Sequence, residues 1–219
     1  NLNVVSDGAS VGTLVLENKG KNPVLILAGT VVKGGKQDRQ VGQDFVVAPG
    51  KSVEVNAFCI EQGRWNTQRD GVDTKGKFTI LNQLTQGSVR KAAQYEGDQS
   101  KVWSKVSEIN EANANKTQSN TLLATIEDQK TAKQREELSK KIEGFFAKKD
   151  NAGTVGFAYA VRGKVRGARW FGTPKLFTEF RGMLINTAVS DAITVKETAP
   201  SASLDPKGVA SLLESFAGT

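Results

Sequence analysis

The chain has 219 residues, 38% of them hydrophobic and 24% charged, and 30 Lys plus Arg against 23 Asp plus Glu give a net charge of +7. That length suits one well-buried core or two small ones, the composition is that of a soluble globular protein, and no apolar run approaches the ~20 residues that span a bilayer. The absence of histidine excludes Ser-His-Asp and Cys-His catalysis and His-ligated metals within the chain, and the single cysteine, Cys59, excludes an internal disulfide or a multi-thiolate zinc site.

Residues 11–18 alternate well enough for a strand, and Lys19-Gly20-Lys21-Asn22-Pro23 supplies turn chemistry. Residues 24–28 are continuously apolar, as in a central strand covered on both faces, and Val31 and Val32 extend that strand. Residues 40–47 predict another strand, closed by the turn Ala48-Pro49-Gly50-Lys51. Residues 52–60 predict a strand with Val53, Val55, Ala57 and Cys59 on one face, which makes Cys59 an inert core residue. Residues 66–78 are polar and glycine-rich and read as a loop, after which residues 78–84 form one more strand.

From Ser88 the period becomes helical. Val89, Ala92, Ala93, Val102, Val106 and Ile109 recur at spacings of three, four and seven, with Gln99, Trp103 and Val106 on one face. Residues 110–119 almost lack apolar side chains and predict a loop; a helix restarts after Asn120 on Leu122, Leu123 and Ile126. A strongly charged helix over residues 131–147 is expected to be buried along Leu138, Ile142, Phe145 and Phe146. Asn151-Ala152-Gly153 ends it, and residues 155–161 and 165–170 predict a β-hairpin turning at Arg162-Gly163-Lys164. Thr173 caps and Pro174 opens a helix holding Leu176, Phe177, Phe180, Leu184, Val189 and Ile193. The expected fold is α+β: an N-terminal antiparallel β-sheet (sandwich or partial barrel), a helical middle, and a C-terminal β-hairpin plus helix. Residues 1–195 are expected to form a single domain, and residues 196–219 a linker and short terminal helix.

Two blocks concentrate polar chemistry at strand ends: Lys33-Gly34-Gly35-Lys36-Gln37-Asp38-Arg39, and Phe58-Cys59-Ile60-Glu61-Gln62-Gly63-Arg64-Trp65. The first is not a P-loop, which needs Gly-x-x-x-x-Gly-Lys-Ser/Thr. Gly34 and Gly35 nevertheless permit positive φ, so their amides can line an anion-binding concavity to which Lys36 and Arg39 add charge. In the second, Arg64 can clamp a carboxylate or phosphate bidentately, Trp65 offers a stacking face, and Glu61 a base or hydroxyl acceptor. The competing reading is a buried Glu–Arg lock with Trp65 as core. Trp103 reads as core, and Arg162-Gly163-Lys164-Val165-Arg166-Gly167-Ala168-Arg169 is the one purely basic run, a weaker candidate for nucleic-acid binding.

Taken together, residues 24–39 and 58–65 resemble the ADP-ribosylglycohydrolase- and rhodanese-phosphatase-superfamily-associated protein domain, a bacterial and archaeal family. The resemblance lies in the paired GGKQDR and CxEQGRW signatures, with further similarity around Gln99 to Val106 and from Gly156 to Phe171, and covers roughly residues 11 to 195. Where relatives often show an acid after Ala-Gly, this chain has Thr30. The resemblance implies a role linked to NAD or ADP-ribose metabolism. On it, Lys36, Arg39 and Arg64 suit a diphosphate, Glu61 or Asp38 a ribose, and Trp65 an adenine ring.

The expected function is binding, or processing, of a small nucleotide-like anionic ligand by Gly34, Gly35, Lys36, Gln37, Arg39, Glu61, Gln62, Arg64 and Trp65. Glu61 and Asp38 are the candidate bases if the site is catalytic; whether it is an enzyme stays open. The alternatives are a non-enzymatic structural or interaction protein with a buried polar lock and, more weakly, nucleic-acid binding through the basic hairpin. No cofactor and no metal are expected. The chain opens at Asn1, without methionine or a visible signal peptide, so the expected localisation is soluble, cytoplasmic or exported after removal of a leader.

Overall fold

The computed structural model describes residues 2–6, 10–69, 71–148, 153–196 and 210. The expected linker and terminal helix lie almost wholly outside the described residues. Seven strands come first: β1 (Leu2–Ser6), β2 (Thr13–Asn18), β3 (Val24–Ile26), β4 (Thr30–Gly34), β5 (Arg39–Val41), β6 (Phe45–Val47) and β7 (Ser52–Cys59). The short pair β8 (Gln68–Arg69) and β9 (Val72–Asp73) follows, then β10 (Phe78–Leu84). Six of these make one antiparallel sheet in the order β1-β2-β7-β5-β4-β10, and its outer strands β1 and β10 approach one another, so that it nearly closes into a barrel.

Period-two alternation builds that barrel. Every second side chain of β2 is buried, and antiparallel pairing sets Leu14 opposite Val55 and Leu16 opposite Val53. These residues fill the interior with Val32, Val41 and Ala57. Val31, one residue from Val32 and therefore on the other face, joins Ile60 beneath the helices α1 (Gly87–Gln94), α2 (Gln99–Ala112) and α3 (Leu123–Ile126). A 3-10 turn at Gln129–Thr131 leads into α4 (Ala132–Phe146). The hairpin β11 (Gly156–Val161) and β12 (Lys164–Trp170) then delivers the chain to α5 (Pro174–Thr194), capped by Thr173 Oγ1 accepting from the Leu176 amide at 3.2 Å. Phe177 and Leu184 of α5 pack with Leu27, Leu84 and Phe171, and Ile185, Val189 and Ile193 form a second cluster against α4. Among the described residues no helix is long and apolar enough to cross a membrane.

The α+β architecture is the expected one, its sheet taking the partial-barrel form of the two expected alternatives, and several elements depart in detail. The apolar run from Val24 to Val32 is two strands. Gly29 turns the chain at φ +84°, its amide donating to the Val41 carbonyl at 2.7 Å, so β3 pairs only with β6 while β4 enters the barrel. The expected strand over residues 40–47 is likewise divided, because Asp44 leaves the ladder to accept from the Ala28 amide at 2.8 Å. β1 has no counterpart among the expected strands: five residues of alternation carry little periodic signal. The 66–78 loop holds β8 and β9. The helical stretch after Ser88 is divided at Gly97, φ +62°, where Asp98 caps α2 through the Lys101 amide at 3.0 Å. In α4, Leu138, Ile142 and Phe146 pack against α5, whereas Phe145 is 55% exposed. One residue along a helix rotates ~100° about its axis, so consecutive phenylalanines cannot both face one neighbour.

Gly34 ends β4 at φ +118°, where an added Cβ would lie 2.2 Å from the Lys77 carbonyl oxygen on β10's approach. Backbone cannot yield as a flexible side chain does. Gly34→Ala is therefore expected to destabilise by ~3 kcal/mol, measured by urea denaturation; a loss below ~1 kcal/mol would refute this account of the turn.

Candidate functional site

Sheet register brings the two sequence blocks together. β4 and β5 form an antiparallel hairpin with Val32 opposite Arg39, and β5 pairs with β7 so that Arg39 lies opposite Cys59. The Ile60 amide then donates to the Asp38 carbonyl at 2.9 Å, which puts Glu61 directly beside the Gly34–Gly35 turn. Both carboxylates are buried, Asp38 at 0% and Glu61 at 1% exposure.

Arg64 binds them together. Its Nε donates to Glu61 Oε1 at 2.9 Å and its Nη2 to Glu61 Oε2 at 2.7 Å, a bidentate fork. Its Nη1 donates to the carbonyls of Gly35 and Asn66, each at 2.8 Å, and Nη2 also reaches the Gly34 carbonyl at 3.4 Å. Glu61 Oε2 accepts in addition from the Asp38 amide at 2.9 Å. Asp38 has its own partners: the Gly34 amide at 3.0 Å, the Thr121 hydroxyl at 2.7 Å, and the Arg69 guanidinium. Arg64 Nη2 stands 3.7 Å from Asp38. Two acids thus face two arginines, and Arg64, Glu61 and Asp38 each take part in several hydrogen bonds.

The remaining candidates divide. Gln37 is buried and donates to the Glu61 carbonyl at 3.0 Å, while its Oε1 has no hydrogen-bond partner among the described residues. Arg39, on the other face of β5, donates to the Thr13 carbonyl of β2 at 2.8 Å. Lys36 and Gln62 face solvent, and Trp65 is 52% exposed rather than core. Trp103 is half-buried, its indole nitrogen enclosed without a hydrogen-bond partner among the described residues. Over the cluster lies a recess of about 270 Å³ whose walls include Glu61, Arg64, Asn66, Gln68, Arg69 and Ser119. Lys36, Gln37 and Arg39 do not line it. Among the described residues no group of three or more His, Cys, Asp or Glu is placed to hold a metal ion.

Arg69 and Thr121 were outside the sequence-derived set. Both sit in polar segments without periodicity, and only the fold carries them to Asp38. The chain from Gln118 onward clamps the second block: the Ser119 carbonyl accepts from the amides of Gln62 and Gly63 at 3.0 Å each, and the Leu122 amide donates to the Ile60 carbonyl at 2.9 Å.

A second ionisable cluster lies away from the blocks. Asp191 of α5, 2% exposed, accepts from the Tyr159 hydroxyl at 2.6 Å, with the Gly87 amide and the guanidinium groups of Arg90 and Arg166 close by. Its one visible signal in the sequence is a carboxylate inside the otherwise uncharged run Ala188-Val189-Ser190-Asp191-Ala192-Ile193. Burial pushes the Asp191 carboxyl above its ordinary value of 3.8, against the opposing pull of the Tyr159 hydrogen bond and the Arg90 and Arg166 charges. Burial and the adjacent carboxylate push the Tyr159 phenol up as well.

Residues 2–218 match the family model described as the ARG and Rhodanese-Phosphatase-superfamily-associated Protein domain. No curated protein and no solved structure matches the chain.

A carboxyl whose pKa is higher folded than unfolded lends its stability below the unfolded value and loses it as the pH rises through the folded value. Asp191→Asn should therefore gain melting temperature relative to the parent chain as the pH is raised above about 4. A difference that stays constant, or moves toward the parent, would show that the cations and the phenol outweigh burial.

Proposed function

The chain belongs to that family, and we propose that it is a domain that binds a nucleotide-like anion in ADP-ribose-linked metabolism, with its two sequence blocks serving as a buried polar lock. The family's description as associated with the ARG and rhodanese-phosphatase superfamilies supports the metabolic setting. The lock reading is carried by one observation: Arg64 directs all three guanidinium nitrogens to Glu61, to the carbonyls of Gly34 and Gly35, and to Asn66. An incoming phosphate would have to displace a bidentate carboxylate that is buried to 1% exposure. Stripping one partner from such a pair leaves a buried charge uncompensated, which costs about 3–5 kcal/mol. The lock ties four segments: the β4–β5 turn, the end of β7, the β8 strand through Arg69, and the chain at Thr121.

A second reading retains the blocks as the ligand seat. It is favoured by the polar recess above Glu61 and Arg64 and by Arg69 at its wall, 14% exposed. In that reading the ligand's anion would take over Arg69 from Asp38.

Arg64→Ala and Glu61→Gln separate the two. As members of a lock, each should destabilise by about 3–5 kcal/mol in chemical denaturation, and Arg64→Lys should fail to rescue because an ammonium cannot form the fork. If instead Arg64→Ala keeps parental stability and abolishes the thermal shift produced by ADP-ribose, the blocks are the ligand seat and the lock is refuted.

A further inference from the structure

The cleft between α1 and the β11–β12 hairpin has chemistry that the two blocks lack. Its volume is about 460 Å³, within the ~300–1,000 Å³ of small-molecule sites. Its floor is apolar, from Leu84, Leu184 and Phe157. Four cations line it, Arg90 and Lys91 from α1 with Arg166 and Arg169 from β12, and among the described residues no acidic side chain does. The nearby acids are accounted for. Asp191 lies beneath, held by Tyr159 and beside the Arg90 and Arg166 guanidinium groups, Asp44 pairs with Arg169 at the rim, and Glu96 is 4.0 Å from Lys91 but 3.0 Å from Lys101.

Aromatic surface accompanies the charge. Tyr95, at the end of α1 and 77% exposed, borders both this cleft and an adjoining hollow of about 580 Å³ on the β12 side. Trp170, 51% exposed, lines that hollow, and Arg166 and Arg169 line both spaces. Gly167 makes the narrow wall possible, since a Cβ there would fall 2.6 Å from the Tyr159 ring. An apolar floor, a cationic rim and the exposed Tyr95 ring at the mouth match one ligand chemistry: a flat aromatic group bearing phosphate.

We infer that this cleft binds an aromatic phosphate ester of nucleoside diphosphate size, with the phosphates on Arg166, Arg169 and Lys91 and the ring against Tyr95. The inference rests on the reading of the chain as an anion-binding domain, and it holds whether or not the blocks are a lock. A nucleic-acid strand fits less well. The cations surround one concavity instead of following a line, and Arg90 is drawn inward by its hydrogen bond to the Thr85 carbonyl at 2.8 Å.

Titration calorimetry with ADP and with inorganic pyrophosphate tests the assignment. ADP should bind saturably at one site, and pyrophosphate at least ~10-fold more weakly, since it lacks the stacking ring. The double variant Lys91→Glu/Arg169→Glu should weaken ADP by at least ~10-fold through lost charge-assisted contacts. Tyr95→Ala, an exposed position whose change leaves the core untouched, should weaken ADP and not pyrophosphate. Absence of any saturable ADP binding would overturn both this site and the anion-binding reading. ADP binding that survives the double variant but disappears in Arg69→Ala would place the ligand over the blocks, overturning the cleft alone. Equal affinity for the two probes would overturn the aromatic component, and salt-steep retention of single-stranded RNA without ADP binding would replace the site with a polymer groove.

Discussion

A buried arginine with every nitrogen committed is the constraint around which this fold is arranged. Arg64 and Glu61 are only three residues apart, yet their fork forms where four stretches of chain converge. Burying a guanidinium and two carboxylates is costly unless each finds partners of good geometry. That condition sets the direction of the β4–β5 turn, because its carbonyls at Gly34 and Gly35 and its amide at Gly34 all serve as partners. It equally sets the path of the segment after α2, which must present Thr121 to Asp38. The glycines are required there because the chain reverses at positive φ against the backbone and ring of the β10 approach.

Hydrophobic burial acts on either side of that polar node. The barrel interior is sealed by Leu14, Leu16, Val32, Val41 and Val55, while the helices cover the opposite face through Val31, Ile60, Val102 and Val106. Packing of this kind drives compaction but is tolerant of register, since many apolar residues would serve. A network of directed hydrogen bonds is not tolerant: a one-residue slip of β5 against β7 would take Asp38 away from the Ile60 amide and expose every alternating side chain to the wrong face. Nonpolar area and the polar node thus have different tasks, the first supplying cohesion and the second uniqueness.

The same distinction separates the two candidate sites. At the blocks, opposite charges are matched one to one and held within the protein, which leaves an anion little to gain. In the cleft beside the hairpin, four cations line the space while their acids stand at its rim, Asp44, or beneath it, Asp191, so a negatively charged guest meets the cations first. Asp191 lies under that cleft as a hub where α5, the start of α1 and the hairpin meet. Its burial couples the packing of these three elements to one ionisable group.

The sequence by itself determined the types of the longer elements, the helix-capping Thr173–Pro174, the buried face of β7 and the proximity in sequence of Glu61 to Arg64. Each follows from a local rule: side-chain period, turn chemistry, or the reach of a side chain across three residues. Tertiary structure alone decided that Val24 to Val32 is two strands, that Arg39 leaves its block for β2, and that Arg69, Thr121 and Asp191 hold the buried charges. Those outcomes depend on which strand lies beside which and on where a polar atom can find a partner once water is removed. Periodicity carries no information about either, because it records which face a residue takes and not what stands opposite it.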